Sequence, residues 1–366
     1  MMLYGLRKRI QKKRKEKWYK NYSKGLVSKI EKNCKKLPVV EELSPAQKAE
    51  IKEFFKTHVG EDVPLAWHKY FTSRTGVYSK EYIPTALYKA KLVFWVNKVE
   101  YRNAYADKNM IDVYLPNANH PEVVVKNMNG YFYSEGQSIS REEAIIKCTN
   151  LHDTLIKPSL ERHGDGIRKL SVENGITNID GLTIGQVFDR YGMNFCIQKF
   201  IHQHERMKAL NPTSVNTIRI VTYRSEMEIL VLYTVIRIGR AGKIIDNESA
   251  GGISVAINDD GKLAKYAYGD PGIDEKLTKT DTGVVLEGYD VPSYHKAVEV
   301  VKKQHFNLPF FDIVGWDIAI NEDGEPIIIE WNVEPELSQS AYGPGFGKYT
   351  ERVLDDMYRK KLGLRN

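Results

Sequence analysis

The feature that most constrains the fold of this chain is a pair of apolar runs within residues 315–332, GWDIAINEDGEPIIIEWN. The dipeptide Asp323-Gly324 separates the two runs, and Asp-Gly is favoured in two-residue turns of β-hairpins. The sequence therefore predicts a hairpin with its turn at this dipeptide. In the resulting register, the side chain of Asp317 lies directly opposite that of Glu330.

The two carboxylates of this hairpin predict a bound cation. Asn332 projects from the same face as Glu330 because side chains alternate along a strand. A four-residue loop keeps this arrangement, whereas a three-residue loop breaks it. Facing carboxylates in apolar strands repel each other, and an oxygen-only ligand set favours Mg²⁺ or Mn²⁺ completed by phosphate oxygens. The alternative is that a Lys or Arg bridges the pair, or that one carboxyl group stays protonated.

A second segment, LIKPSLERHGDGIRKL at residues 155–170, has features of a phosphate-binding loop. It predicts a strand that ends near Lys157, a polar loop containing Gly164 and Gly166, and a returning strand. The backbone amides of such a loop can bind phosphates while Lys157 supplies a point charge. The sequence has no G-x-x-x-x-G-K-[ST] motif, and a glycine-containing hairpin is by itself most often a plain turn.

Two arginines interrupt apolar segments that predict strands. Arg219 lies in NTIRIVTY and Arg237 in LYTVIRIG. Buried arginines are rare unless they are paired, so each needs an anion, which is either a carboxylate or a phosphate. Asp246 and Asn247, followed by the pair Gly251–Gly252, mark a loop whose backbone can approach a ligand closely.

The positive charge of the chain is concentrated at its N-terminus. Residues 1–40 contain fourteen Lys and Arg against two Glu, a net charge of +12, and since the whole chain carries +7 the other 326 residues carry −5. Residues 3–36 predict a helix. Three roles are open for it: a solvated helix packed through its C-terminal half, contact with an anionic membrane surface, or contact with an acidic polymer. No base-reading module follows, so nucleic acid is not expected as a partner.

Strands and helices are interspersed and hairpins are frequent, which predicts an α+β fold rather than a doubly wound parallel sheet. No run of 18 apolar residues occurs, so no transmembrane helix is expected, and the charged first ten residues do not form a secretory signal. Cys34, Cys148 and Cys196 lie far apart and predict reduced, buried thiols. We therefore expect a cytoplasmic protein, with the basic segment available to bring it to the inner face of the membrane.

The order of these motifs resembles that of the ATP-grasp superfamily, and specifically its sugar-transfer-associated branch. The resemblance covers about residues 107–349 and is carried by NPTSVNTIR, by IIDNESAGG and by the hairpin. It implies two α+β lobes that clasp ATP, preceded by a mostly helical pre-grasp lobe. The expected parts are a basic N-terminal helical segment (1–40), a pre-grasp lobe (41–125), a small lobe (126–202) and a C-terminal catalytic lobe (203–366).

The resemblance also implies which residues hold ATP. Lys108 and Lys157 are similar to the two lysines on the α- and β-phosphates, and the loop at Gly164–Gly166 resembles the mobile phosphate cover. His204 or Glu205 is expected to bind the ribose. The interlobe hinge, whose backbone groups read adenine, is expected at Gln198, Lys199, Phe200 and Ile201, although Lys199 stands where this hinge is often acidic.

On the catalytic side, Arg219 and Arg237 resemble the residues that steady the γ-phosphate and the acyl-phosphate. Asn247 and the glycine pair that follows it lie where related enzymes position phosphate or acceptor. Val333–Pro335 departs from the family pattern, because many ATP-grasp ligases have a basic residue there. Asp317, Glu330 and Asn332 match the metal ligands.

The implied activity is that of an ATP- and Mg²⁺-dependent carboxylate–amine ligase. A carboxylate attacks the γ-phosphate to give an acyl-phosphate and ADP, and an amine then displaces phosphate. The association of this branch with surface polysaccharide biosynthesis, such as that of capsule, implies a sugar acid such as a uronic acid as one partner and an amino acid or other amine as the second. Two alternatives stay open: a kinase that phosphorylates a sugar-type hydroxyl with Asp246 as general base, and a nucleotide-binding scaffold recruited by the basic N-terminus.

Overall fold

The N-terminal part of the chain is helical. The structure is a computed structural model that describes residues 2–161, 166–240, 242, 246 and 251–364, with side chains from Trp18 onward. The helices of this part are α1 (Met2–Cys34), α2 (Pro45–Val59), α3 (Ala66–Thr75), α4 (Thr85–Leu87), α5 (Val93–Val96), α6 (Arg102–Tyr105) and α7 (Ile111–Tyr114), with a π-helical turn at Tyr88–Leu92 and 3₁₀ turns at Val99–Tyr101 and Lys108–Met110.

The C-terminal half of α1 packs on the helices that follow it. Leu26, Ile30 and Cys34 contribute to a small core around Trp67. Packing through this half, one of the three roles predicted for the basic segment, is therefore confirmed, and contacts of the segment with a membrane or a polymer stay predictions. Among the described residues, no helix is long and apolar enough to cross a membrane.

A seven-stranded antiparallel sheet follows the helical part. Its spatial order is β3-β2-β1-β7-β4-β5-β6, and α8 (Arg141–Lys147) and α9 (Ile184–Tyr191) accompany it. The predicted boundary at residue 125 lies inside the first strand, and the division of the chain into four parts stays a prediction. The strands are β1 (Val123–Met128), β2 (Tyr131–Ser134), β3 (Gln137–Ile139), β4 (Leu151–Pro158), β5 (Arg168–Glu173), β6 (Ile176–Thr177) and β7 (Phe195–Lys199).

A second, six-stranded antiparallel sheet has the order β11-β10-β9-β8-β12-β13. Its strands are β8 (Thr217–Ser225), β9 (Glu228–Ile238), β10 (Ile253–Ile257), β11 (Leu263–Tyr268), β12 (Ile313–Ile320) and β13 (Pro326–Asn332). The remaining elements of this half are α10 (Glu205–Leu210), α11 (Tyr294–His305), α12 (Gln339–Tyr342), β14 (Gly345–Lys348) and α13 (Thr350–Lys361).

The two faces of the second sheet are covered by different cores. One face packs Trp316 and Trp331 against residues of α10 and α11. The other face packs Val221, Val235 and Ile313 against the N-terminal helices and α13. Because side chains alternate along strands, Arg219, Arg237 and Asp317 emerge on this second face, beyond the apolar residues. The functional residues therefore occupy the charged end of a face whose other end is core.

The hairpin formed by β12 and β13 differs from the predicted one in its turn. Asn321 and Glu325 are joined by a backbone hydrogen bond of 3.0 Å, and Gly324 adopts a φ of +78°, so the loop has three residues rather than two. Such a loop alone would shift the register. A β-bulge between the Ile318–Ile328 pair and the next pair inserts one extra residue and restores Asp317 opposite Glu330. The predicted turn is wrong, and the predicted pairing of the carboxylates is confirmed.

Candidate active site

Four adjacent strands bring the charged residues of the second sheet together. Asp317 in β12 pairs with Arg219 in β8 on one side and with Glu330 in β13 on the other. Arg237 in β9 pairs with Thr217, two residues along β8 from Arg219. The residues that the sequence analysis singled out on separate segments are therefore neighbours on one face.

Asp317 is the anion that both arginines bind. Arg219 donates from Nε to Oδ1 and from Nη2 to Oδ2 (2.8 Å), and Arg237 Nη2 lies 3.0 Å from Oδ2. Burial alone would raise the pKa of Asp317, but the charges of Arg219 and Arg237 outweigh burial, and the pKa lies below its ordinary value. Of the two anions predicted for the arginines, a carboxylate is the one the described residues supply.

Glu330 extends this cluster towards Lys108. Glu330 is the register partner of Asp317 on the neighbouring strand, and its Oε2 lies 3.4 Å from Lys108 Nζ. The Glu330 side chain is 33% exposed and that of Asp317 is 2% exposed. Asn332 borders the same cavity as Glu330, whereas Trp331 between them packs into the core. The three predicted oxygen ligands therefore share one side of the hairpin.

The donor set fits a Mg²⁺ ion that is bound together with phosphates. Within the described ranges, no group of three or more His, Cys, Asp or Glu side chains is placed to hold a metal ion by itself. Mg²⁺ commonly uses one or two carboxylates and takes its other ligands from phosphate and water. The adjoining cavity is lined by five carboxylates and five Lys or Arg side chains, so a triphosphate would not be neutralised there without an added cation.

A cavity of about 480 Å³ lies between the two sheets, and its size is that of a small-molecule site. We call it the nucleotide cavity. The first sheet lines it with Lys157, Lys169 and Gln198. The second sheet lines it with Thr217, Arg237, Asp317 and Glu330, so both predicted halves of the site face one space.

Lys157 is the most buried cation of this cavity. It is 4% exposed, and its ammonium group forms no hydrogen bond or salt bridge with another described residue. Burial, with a smaller contribution from the charge of Lys108, lowers the pKa of Lys157. Lys108 is held at the cavity mouth, where its Nζ donates to the carbonyl of Glu161 at 2.7 Å. An anion in the cavity would therefore compensate a charge that the described residues leave unpaired.

The predicted hinge divides into residues that face the nucleotide cavity and one that does not. Gln198, Phe200 and Ile201 line it. Lys199 points to the opposite side, as strand alternation requires, and its Nζ lies 2.8 Å from Glu122. Its side chain is therefore excluded from the cavity, and only its backbone belongs to the hinge.

The residues beyond the hinge that line the nucleotide cavity lie slightly earlier in the sequence than the predicted ribose-binding residues. His202 and Gln203 line it, whereas neither Glu205 nor His204 does. Glu205 is the first residue of α10, and the ring of His204 accepts a hydrogen bond from the amide of Arg206 at 3.2 Å. Because they form the start of α10, His204 and Glu205 do not face the nucleotide cavity. The contact of Glu205 with a ribose stays a prediction.

Two predicted residues, Gly164 and Asn247, lie outside the described residues. Gly166 is described, and it has a φ of +76°. A Cβ atom there would come within 2.8 Å of Pro158 Cγ, so this position requires glycine both for its conformation and for space. The carbonyl of Gly166 accepts a hydrogen bond of 2.8 Å from the hydroxyl of Tyr191.

Thr217 is a site residue that the sequence did not reveal. Its amide donates to Asp246 at 3.1 Å and its hydroxyl also donates to Asp246, while Arg237 Nη2 donates to the same hydroxyl oxygen at 2.8 Å. Burial raises the pKa of Asp246, although Arg237 and Thr217 oppose that effect. A threonine at the start of an apolar strand carries no signal until the pairing of β8 with β9 is known.

A family model matches most of the chain. The family model described as sugar-transfer associated ATP-grasp matches residues 89–354, nearly three quarters of the chain. No curated protein matches the chain. Among solved structures, the biotin carboxylase domain of 2-oxoglutarate carboxylase from Hydrogenobacter thermophilus, in complex with MgADP, ADP and bicarbonate, is 14% identical with a TM-score of 0.41, over 74% of this chain and 48% of that one.

Two further solved structures are similar to the chain at the same low level of identity. Biotin carboxylase from Campylobacter jejuni is 13% identical with a TM-score of 0.41, over 74% of this chain and 49% of that one. The ATP-grasp ligase PsnB with a minimal precursor is 13% identical with a TM-score of 0.39, over 75% of this chain and 63% of that one. This chain thus spans between about half and under two thirds of the length of these proteins. Because the family match extends over far more than half of the sequence, the chain belongs to the sugar-transfer associated ATP-grasp family and has its α+β fold.

Proposed function

We propose that this protein is an ATP- and Mg²⁺-dependent ligase that activates the carboxylate of a sugar acid and joins it to an amine. An amino acid is the first candidate for the amine substrate. The observation that carries the proposal is that Asp317 and Glu330, which line the nucleotide cavity, lie beside Arg219 and Arg237. Cations placed at a metal-binding carboxylate pair suit the transfer of a phosphoryl group to an anionic acceptor.

The residues that line the nucleotide cavity indicate how ATP would be oriented in it. Lys157 and Lys108 would bind the phosphates, and Gln198 lies at the hinge end. The amides of Lys199 and Phe200 already donate to the carbonyls of Glu122 and Asp153, at 2.9 and 2.7 Å. Ile201 lines the cavity, and its amide forms no such bond within the described ranges. We therefore assign the adenine-reading amide to Ile201.

The metal would be held by Asp317, Glu330 and Asn332. Bound Mg²⁺ would neutralise phosphate charge and fix the geometry of transfer. Asp317 already has both of its oxygens engaged by arginines. When Asp317 turns an oxygen towards a metal, Arg219 and Arg237 gain freedom to bind phosphate instead, so the same residues serve both predicted roles of the arginines.

The reaction has two balanced steps. An oxygen of the acceptor carboxylate attacks the γ-phosphorus, the bond from that phosphorus to the bridging oxygen of ADP breaks, and an acyl-phosphate and ADP result. The nitrogen of the amine then attacks the acyl carbon, the bond from that carbon to the phosphate oxygen breaks, and inorganic phosphate leaves as the nitrogen loses a proton. Arg219 and Arg237 offset the negative charge that gathers between two anions in the first step.

A kinase on the same scaffold is the second candidate, and Asp246 is the observation that favours it. Asp246 is buried, borders the nucleotide cavity and lies 3.8 Å from Arg237. Burial raises the pKa of Asp246, which brings it nearer to the range of a general base for a hydroxyl. A ligase needs no such base in its first step, because a carboxylate is already ionised.

Product analysis distinguishes the two candidates. The full chain is incubated with ATP, Mg²⁺ and pairwise mixtures of uronic acids and amino acids, and ADP, phosphate and new masses are recorded. We expect ADP and inorganic phosphate only when both substrates are present, with a product that has their summed mass less one water. A product heavier by one phosphoryl group, with no inorganic phosphate, identifies a kinase. If Glu330→Gln leaves turnover unchanged, the proposed metal site is wrong.

A further inference from the structure

A second cavity, of about 660 Å³, adjoins the nucleotide cavity, and we call it the acceptor cavity. Lys108, Glu161, Arg237 and Glu330 border both spaces. One wall of the acceptor cavity is formed by α1, which contributes Trp18, Tyr22 and Lys29. The family match begins at residue 89, so this wall comes from a segment outside the matched region.

The orientation of α1 follows from two stripes of side chains. At about 100° per residue, Trp18, Tyr22 and Lys29 lie within about 40° of one another around the helix axis. Tyr19 and Leu26 lie about 40–100° from these residues. Leu26 packs into the small core of the N-terminal helices. One stripe therefore anchors the helix and the neighbouring stripe faces the acceptor cavity.

A cation–π contact also holds the anchoring stripe. Lys91 Nζ lies 4.0 Å from the centre of the Tyr19 ring and forms a salt bridge with Glu61. Burial raises the pKa of Tyr19 to about 12, as expected for a phenol that faces the protein. The position of α1 beside the cavity is thus determined by contacts that do not involve Trp18 or Lys29.

Trp18 and Tyr22 stack on each other at the wall of the acceptor cavity. Their ring centres are 5.1 Å apart and their planes are inclined by 8°. Trp18 is 47% exposed, so this pair contributes little to the core. Aromatic pairs one helical turn apart also stabilise helices slightly. That role requires no cavity, whereas an exposed ring face in a polar cavity suits stacking on the apolar face of a sugar ring.

The cations of the acceptor cavity differ in their partners. Lys89 forms a salt bridge with Glu336, and Arg102 forms one with Glu334. Lys29 also borders the cavity, and within the described part of the chain its ammonium group forms no salt bridge. Lys29 is therefore available to an anionic group of a ligand, at the wall formed by α1 rather than at the edge shared with the nucleotide cavity.

We propose that the acceptor cavity binds a sugar acid carrying a second anionic group, and that α1 is part of this substrate site. The sugar ring stacks on Trp18 and Tyr22, its carboxylate faces the shared edge at Arg237 and Glu330, and Lys29 binds the second anionic group, such as an anomeric phosphate. Lys29 and the two aromatic residues are thus positions that determine specificity. The assignment of the carboxylate rests on the proposed ligase function.

Binding of two related probes to the full chain tests this proposal. D-glucuronate and D-glucuronate 1-phosphate are titrated calorimetrically in the presence of ADP and Mg²⁺. We expect the phosphorylated probe to bind about tenfold more tightly. Trp18→Ala should weaken both probes about tenfold, and Trp18→Phe should restore most of this loss because a ring remains. Lys29→Ala should remove the advantage of the phosphorylated probe.

Lys24→Ala is the matched control, because Lys24 is an exposed lysine on the same helix at about 100° or more from the cavity stripe. It should change either affinity less than about twofold. The proposal is overturned if the wild-type chain binds neither probe, if Trp18→Ala binds both as the wild type does, or if the two lysine variants behave alike. Failure of the ligase function appears separately, as absence of ATP turnover in a chain that still binds both probes.

Discussion

Replacing Lys157 with methionine should change stability and nucleotide binding in opposite directions. Lys157 is 4% exposed, its pKa is lowered mainly by burial, and it has no hydrogen-bond or salt-bridge partner among the described residues. A buried polar group without a partner destabilises a protein by about 1–3 kcal/mol. Methionine has a similar length and no charge, so Lys157→Met should raise the free energy of unfolding by about 1–3 kcal/mol.

The same substitution should weaken ATP. A charge-assisted hydrogen bond contributes about 1.5–3 kcal/mol, which corresponds to a loss of about 10- to 150-fold in affinity. Chemical denaturation without nucleotide measures the first effect, and calorimetric titration of ATP with Mg²⁺ measures the second. Lys147→Met in the same lobe is the control, because Lys147 is exposed and pairs with Glu135 at 3.0 Å. It should change both quantities by under about 1 kcal/mol.

The prediction is that Lys157→Met stabilises the protein and weakens ATP binding. A Lys157→Met variant that is less stable than the wild type, with unchanged ATP affinity, would mean that Lys157 has a structural partner and does not face the phosphates. The reasoning from its burial would then be refuted.

Three further variants test separate parts of the structure. Glu330→Gln should raise the Mg²⁺ concentration required for turnover at least about tenfold, with under about 1 kcal/mol lost in stability, since its 3.4 Å contact with Lys108 is partly exposed. Burial lowers the pKa of His305 to about 3, so the folded state binds fewer protons than the unfolded state between about pH 3 and pH 6.5. As the pH is lowered through this range, the contribution of His305 to stability should fall by about 1.4 kcal/mol per pH unit, and His305→Gln should remove that component from denaturation curves. Gly315→Ala should destabilise the protein by about 1–3 kcal/mol, because its Cβ would lie 2.6 Å from Pro335 Cβ, and unchanged stability would show that the strand can move away from that proline.

The hairpin shows both the reach and the limit of prediction from sequence. The apolar runs and the Asp-Gly dipeptide predicted the element, and the facing of Asp317 and Glu330 is confirmed. The loop length was wrong, and the bulge that compensates for it has no local signal, since both depend on how β13 fits against its neighbours. The predicted pairing is therefore correct because the bulge offsets the register shift that the three-residue loop causes.

Strands β10 and β11 were not predicted, although a signal for them was present. Asp260 and Gly261 lie between two apolar runs, as Asp323 and Gly324 do, and Gly261 adopts a φ of +80°. Each run has only five or six residues, and strands that short do not reveal their period.

Residues at the site were predictable in type, and their orientation was not. Lysines and arginines in apolar strands pointed to an anion before any contact was known. Whether Lys199 faces the cavity depends on strand alternation relative to Gln198, and whether Glu205 does depends on where α10 begins. The position of Trp18 beside the site depends on the packing of α1, which no local pattern reports.

The transfer of oxygen from the acceptor to phosphate tests the central claim most directly. A sugar acid labelled with oxygen-18 in its carboxylate is incubated with the full chain, ATP, Mg²⁺ and the amine, and the released inorganic phosphate is analysed by mass spectrometry. Activation as an acyl-phosphate predicts one labelled oxygen in each phosphate released, because the carboxylate oxygen that bonds to phosphorus leaves with it. Phosphate without label, or label retained in a stable phosphorylated sugar, would contradict carboxylate activation at the Asp317–Glu330 site.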